Sequence, residues 1–328
     1  MRSYALAPAK VILTGEHFVV YGAAAIVAAV DIYSKAIVSR RNDKAIVVRS
    51  SSPRCTMSFI DGSPRVIRGG KDTRAILEPI CHVTHAALEH FDGGERGLDI
   101  QIDSAIPVGV GLGSSAAVAV STIAATAKLL RRRIDREAIR HLAFGSECMI
   151  HKAPSGIDQT TSTFGGVIMY RREKPFQRIP VKHTFPIIIG NTGKTRSTGT
   201  MVSKVRAFLK GRSALETRIL RSAERVSMKA LAALQCEDVR QLGELMNSNH
   251  GLLRQIEVST RELDRLVSAA RKAGAFGAKL TGAGGGGCMI AVAPAHRTAT
   301  VIQAIRDEGG TPYLANIERK GVRSWLVR

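Results

Sequence analysis

Apolar positions change their period several times along this chain, and each change predicts an element. From Thr73 to His90, Ile76, Leu77, Ile80, Val83, Ala87 and Leu88 recur at helical spacing, which predicts an amphipathic helix ended by Gly93-Gly94. "GLDIQIDSAIP" then alternates Leu98, Ile100 and Ile102 with Asp99, Gln101 and Asp103, the period of a half-buried strand. Nearer the N-terminus, Val11 to Leu13 and Phe18 to Val20 flank Gly15 and predict a strand pair. The β-branched runs on either side of Asn42-Asp43 predict a hairpin. Ala116 to Leu130 is small and apolar and ends in Arg131–Arg133, cations suited to the negative end of a helix dipole. Asp135 is placed to cap a further helix reaching His151, and "GGVIMYRR" predicts a strand.

A proline-punctuated crossing, "KPFQRIPVKHTFPIIIGNTG", separates this half from the next, with a boundary expected near Pro180. Beyond it, helical patterns cover about 197–210, 213–235, 237–255 and 259–273. A glycine-rich turn, a strand at Cys288 to Val292, a helix at 296–308 and a strand near 322–327 complete the chain. The pattern describes a mixed α/β protein of two domains, 1–180 and 181–328, without internal repeats.

Composition narrows the function. The 328 residues are 45% hydrophobic, enough for a sizeable core. Lys+Arg 48 against Asp+Glu 27 gives a formal net charge of +21, which suggests a basic surface or an anionic partner. The basic residues are spread along the chain, with denser patches at Arg131–Arg133 and between Lys204 and Arg225, and no aromatic-interleaved nucleic-acid motif accompanies them. Five scattered cysteines form no CxxC pair, and "MRSYALAPAK" lacks the apolar region of a secretory signal, so a reducing cytoplasm is the expected setting. The uncharged stretch from Ser104 to Ala127 has the length of a membrane span, but Pro107, three glycines and two serines interrupt it.

That stretch contains "PVGVGLGSSAAVAV", in which Gly109, Gly111 and Gly113 precede a helix. A bare backbone opening a helix lets N–H groups converge on a phosphate, with the positive end of the helix behind them. It is neither a Walker A loop, because Gly113 is followed by Ser114-Ser115 and not by Lys, nor a dinucleotide fingerprint. A second bare segment, "KLTGAGGGGCMIAV", leads into a strand in the far half, and "HKAPSGIDQTTSTFGG" isolates Asp158 among small polar residues.

Together with "APAKVILTGEHFVVYG", and in this order, these segments resemble the signature motifs of the GHMP kinases. Lys10, "GEH", "VVYG" and "PSGID" are most similar to the mevalonate kinase branch. The resemblance implies a two-domain α+β fold: an N-terminal mixed α/β domain with a phosphate loop and a ferredoxin-like C-terminal α+β domain. It implies ATP and Mg²⁺, a small alcohol such as mevalonate as acceptor, and no membrane or nucleic-acid partner, with a homodimer as a possible assembly. ATP would lie on Pro107, Gly109, Gly111 and Leu112, then on Gly113, Ser114, Ser115 and Ala116, with Ser115 and Glu147 as metal ligands. Asp158 would orient or deprotonate the acceptor hydroxyl and Lys10 would neutralise charge beside it. Glu16, His17, Arg196, Thr198, Thr281, Gly282 and Ala283 would contact the acceptor.

Two positions depart from the family pattern: Ala9 and Lys152 stand where many members have glycine. Either change bears on acceptor choice, toward a phosphorylated mevalonate for instance. Lys10 and the "GEH" and "GID" segments argue against an ATP-dependent decarboxylase of the same superfamily. A phosphomevalonate kinase and a basic nucleic-acid-binding protein stand as the alternatives.

Overall fold

The computed structural model describes residues 1–60, 63–91, 96–150, 155–195 and 198–327. Gly93-Gly94, Lys152 and Arg196 lie outside the described residues. The N-terminal part runs β1 (Arg2–Thr14), β2 (Ala25–Arg40), β3 (Ile46–Ser51), β4 (Arg54–Ile60), β5 (Ser63–Arg68), α1 (Thr73–His90) and β6 (Leu98–Ser104). It continues through α2 (Ser114–Leu129), α3 (Arg136–Ile150), α4 (Ile157–Phe164), β7 (Val167–Tyr170) and β8 (Gln177–Ile179). Then follow β9 (Pro186–Asn191), α5 (Thr198–Leu209), α6 (Ser213–Gln235), α7 (Val239–Gln255) and α8 (Arg261–Lys272). The chain closes with β10 (Gly277–Leu280), β11 (Cys288–Val292), α9 (Thr298–Asp307), β12 (Thr311–Asn316) and β13 (Arg323–Val327).

Among the described residues the strands form two sheets. The larger has nine strands in the order β13-β1-β2-β6-β3-β4-β5, with β7 on β2 and β8 on β7. The smaller is the antiparallel set β10-β11-β9-β12. The last strand therefore returns to the first sheet, where Trp325 pairs with Tyr4.

Strand periodicity decides what β1 presents. Ala5, Ala7, Ala9, Val11 and Leu13 enter the main core, so Lys10 and Ile12 point the other way, Ile12 into a small cluster with Val19, Val27 and Ile157. Against the core face lies α2, in which every residue from Ala116 to Ala127 is buried. A helix of small, mostly apolar residues that is buried on every face belongs in a protein interior or a membrane. Its 16 residues span about 24 Å, and no helix among the described residues is long and apolar enough to cross a bilayer.

Most predicted elements are present, and α1, β6 and β11 keep their expected bounds to within a residue. Two local expectations are corrected. Phe18 to Val20 is not a strand but part of a single 3-10 turn, Phe18–Tyr21, because His17 (φ 59°) and Gly22 (φ 92°) bend the chain on both sides. Its apolar side chains divide between two cores, Phe18 into one and Val19 into another. The runs beside Asn42-Asp43 do form β2 and β3, yet they do not pair as a hairpin. β6 inserts between them, antiparallel to β2 (Val38 opposite Ile100) and parallel to β3 (Val48 opposite Ile100). Gly97 makes room for this entry, since a Cβ there would sit 1.9 Å from the Asp43 carbonyl oxygen.

Candidate active site

The glycine loop is held from behind by β1, the Lys10 N–H donating to the Leu112 carbonyl at 3.0 Å. Gly113 has φ 76°, and a Cβ on it would meet Lys10 Cγ at 3.0 Å, so its bareness lets the lysine stem pass. Leu112 and Ala116 turn their side chains into the core, leaving only their backbone to face a ligand. The second glycine segment supports the first. A Cβ on Gly282 would lie 3.1 Å from Gly111 Cα, and one on Gly287 would lie 2.6 Å from the Val110 carbonyl oxygen. The Cys288 N–H donates to that same oxygen at 3.2 Å.

Asp158 sits in the first turn of α4, where the positive end of the helix favours a carboxylate. Three of the buried small polar residues around it bond inward: Thr160 and Thr161 donate to the Gly156 and Ile157 carbonyls at 2.6 and 2.8 Å, and Ser162 ties α4 to Pro8 of β1 at 2.6 Å. Lys10 Nζ lies 3.2 Å from Asp158 Oδ1, the lysine 4% exposed and the aspartate 27%. On the same side, the Ser115 hydroxyl donates to Glu147 Oε1 at 2.7 Å. Burial, and then the neighbouring Asp158, push Glu147 up to about 7; the Ser115 bond and Lys10 act in the opposite sense.

Two cavities meet at this cluster, sharing Gly111, Asp158 and Thr198. The first, of about 380 Å³, runs from the loop at Gly109–Ser115 to an aliphatic wall that includes Ile76, Pro79 and Val108. The second, of about 720 Å³, holds Lys10, His17, Glu147, Gly282, Ala283 and Arg206. Both fall in the size range of small-molecule sites. The sequence-predicted Lys10, Asp158, Ser115, Glu147, His17, Thr198, Gly282 and Ala283 are thus gathered around one junction.

Two expected acceptor contacts are differently employed. Thr281 is fully buried, its hydroxyl accepting from the Ile12 N–H at 2.9 Å. Glu16 borders the second cavity, but both its oxygens bond protein groups: one the Lys279 ammonium, the other Asn249 Nδ2 at 2.9 Å. Lys279, Asn249 and Arg206 escaped sequence reasoning; the low aromatic content pointed to an aliphatic surface for the base but not to Ile76, Pro79 and Val108. A signal existed for Asn249, which falls in register with Leu242, Met246 and Leu253 on the buried face of α7. A polar residue there needs a partner.

Comparison with known proteins fits this geometry. The family model for the GHMP kinases N terminal domain matches residues 80–166, and that for the GHMP kinases C terminal matches residues 227–310. The curated mevalonate kinase of Pyrococcus furiosus is 41% identical over 331 residues, spanning 98% of each chain. The solved mevalonate kinase of Methanococcus jannaschii superposes with a TM-score of 0.83 at 26% identity, over 96% of this chain and 98% of that one. The L. major mevalonate kinase, solved in complex with R-mevalonate, gives 0.80 at 28% identity, over 96% and 95%. Two matched family models and a full-length relative at this identity show that the chain belongs to the GHMP kinases.

Proposed function

We propose that this protein transfers the terminal phosphoryl group of ATP to the primary hydroxyl of mevalonate. The observation that carries the reading is the junction itself: a glycine-loop cavity and an acceptor chamber share Asp158, and Asp158 is paired with Lys10 at 3.2 Å. The full-length similarity to mevalonate kinases selects the acceptor.

Phosphoryl transfer asks a protein for placement and charge neutralisation more than for covalent chemistry. The amides of Gly109–Ser115 and the N-terminus of α2 would hold the phosphates. Ile76, Pro79 and Val108 would cover the base, in keeping with a chain only 5% aromatic. Asp158 would accept a hydrogen bond from the acceptor hydroxyl and aim it at the terminal phosphorus. Lys10, 3.2 Å from Asp158, would face the charge that develops on the transferred group.

The donor set fits magnesium. Glu147 and Asp158 are close enough for one to raise the other's proton affinity, an anionic pair that a divalent cation would relieve. Magnesium commonly takes one or two protein carboxylates and completes its shell with waters and nucleotide phosphates. Ser115 and Glu147 would hold it, and when bound it would neutralise phosphate charge. A reducing, cytoplasmic setting is in keeping with five scattered cysteines that form no CxxC pair.

ADP release measured with mevalonate, phosphomevalonate, galactose, homoserine or no acceptor tests the reading. Mevalonate should give the highest kcat/KM, by at least about a hundredfold, a margin that pairing of buried polar groups readily supplies. Turnover favouring another acceptor would replace it.

A further inference from the structure

Lys279 and Glu16 form an ion pair in which both side chains are 0% exposed, and the transfer described above uses neither. The ammonium donates to the Glu16 carboxylate, to the Ile12 carbonyl at 3.1 Å and to the Leu280 carbonyl at 2.5 Å, which employs all three of its protons. The second Glu16 oxygen accepts from Asn249 Nδ2, and Asn249 Oδ1 accepts the Gly15 N–H at 3.1 Å. Residues of β10 and α7, which belong to the C-terminal part, therefore fix the end of β1 and the turn that follows.

That turn carries His17 into the acceptor chamber at φ 59°, a backbone conformation few side chains adopt. Its Nε2 lies 2.9 Å from the Ala283 carbonyl, which can only accept, so this nitrogen holds the proton. The Val19, Val20 and Gly22 amides close the turn onto Gly15, His17 and Val19 carbonyls.

We propose that Lys279, assisted by Asn249, is a positioning residue that sets the Glu16–His17 turn and through it the acceptor wall. The proposal rests on the reading of that chamber as the acceptor site. A pair kept only for stability is a poor account of the same geometry. Burial pushes Glu16 up and Lys279 down, each against its charged form, and apolar side chains of similar volume generally serve a core as well or better. What apolar contacts do not supply is direction. A three-proton donor tied to two carbonyls and a carboxylate holds the turn in one place.

The single variant Lys279→Met strands a buried carboxylate and should lose much of its thermal stability. The double variant Glu16→Gln/Lys279→Met removes both charges at nearly constant volume and should recover most of it. In that double variant the KM for mevalonate should rise about tenfold or more, while the KM for the metal–nucleotide stays within about twofold. Hydrogen exchange at the Val19, Val20 and Gly22 amides should accelerate with global stability largely retained. An unchanged KM with unchanged exchange would overturn the proposal, as would equal losses in every kinetic constant. If the unmodified protein does not phosphorylate mevalonate, the acceptor reading fails separately, and the exchange comparison alone decides whether Lys279 sets the turn.

Discussion

Glu147 and Asp158 share one enclosure, and their surroundings separate what they can do. Asp158 has Lys10 at 3.2 Å, whereas Glu147 is 3% exposed and has its proton affinity raised to about 7 by burial. A free glutamate carboxyl titrates near 4.5, so the folded protein holds an extra proton between about 4.5 and 7. Stability from this group is therefore present at low pH and lost as pH rises toward 7. Metal binding needs the ionised form, so affinity for the metal–nucleotide should strengthen as pH rises to about 7 and then level off. Calorimetry in buffers of different ionisation enthalpy should find close to one proton released on binding at about pH 6 and few at about pH 8. Glu147→Gln should weaken binding and flatten that profile. A variant that keeps the wild-type profile would remove Glu147 from the metal site.

The two glycine segments work as a pair of elements, one presenting amides and the other holding it up. Gly287→Ala would place a Cβ 2.6 Å from the Val110 carbonyl oxygen, at a φ of 76° that L side chains rarely adopt. The variant should lose about 1–3 kcal/mol of stability, and the loop at Val110–Leu112 should shift. The KM for ATP should then rise more than that for mevalonate; equal effects on both would show that the support is not specific to the loop. Local signals made these elements legible, since each bare segment leads into a regular run. The helices of 73–90 and 213–235 were legible for the same reason, because helical spacing is a local property of the chain. Insertion of β6 between β2 and β3 was not, for it depends on Gly97 admitting a strand about fifty residues further along. The buried role of Lys279 was equally hidden, although the residue opens a recognised segment: its partner Glu16 lies 263 positions away.

At the scale of the molecule, the site exists only where the two sheets meet. Lys10 comes from the larger sheet, Ala283 follows a strand of the smaller one, and α5 brings Thr198 to the border of both cavities. Placement of these pieces, more than the strength of any single acid or base, is what the account asks to produce phosphoryl transfer. The most direct test is a crystal structure with a non-hydrolysable ATP analogue and mevalonate bound together. The triphosphate should lie across the amides of Gly109–Ser115, with the primary hydroxyl of mevalonate between Asp158 and the terminal phosphorus and Lys10 beside it. A triphosphate bound elsewhere, or an acceptor hydroxyl remote from Asp158, would contradict the account.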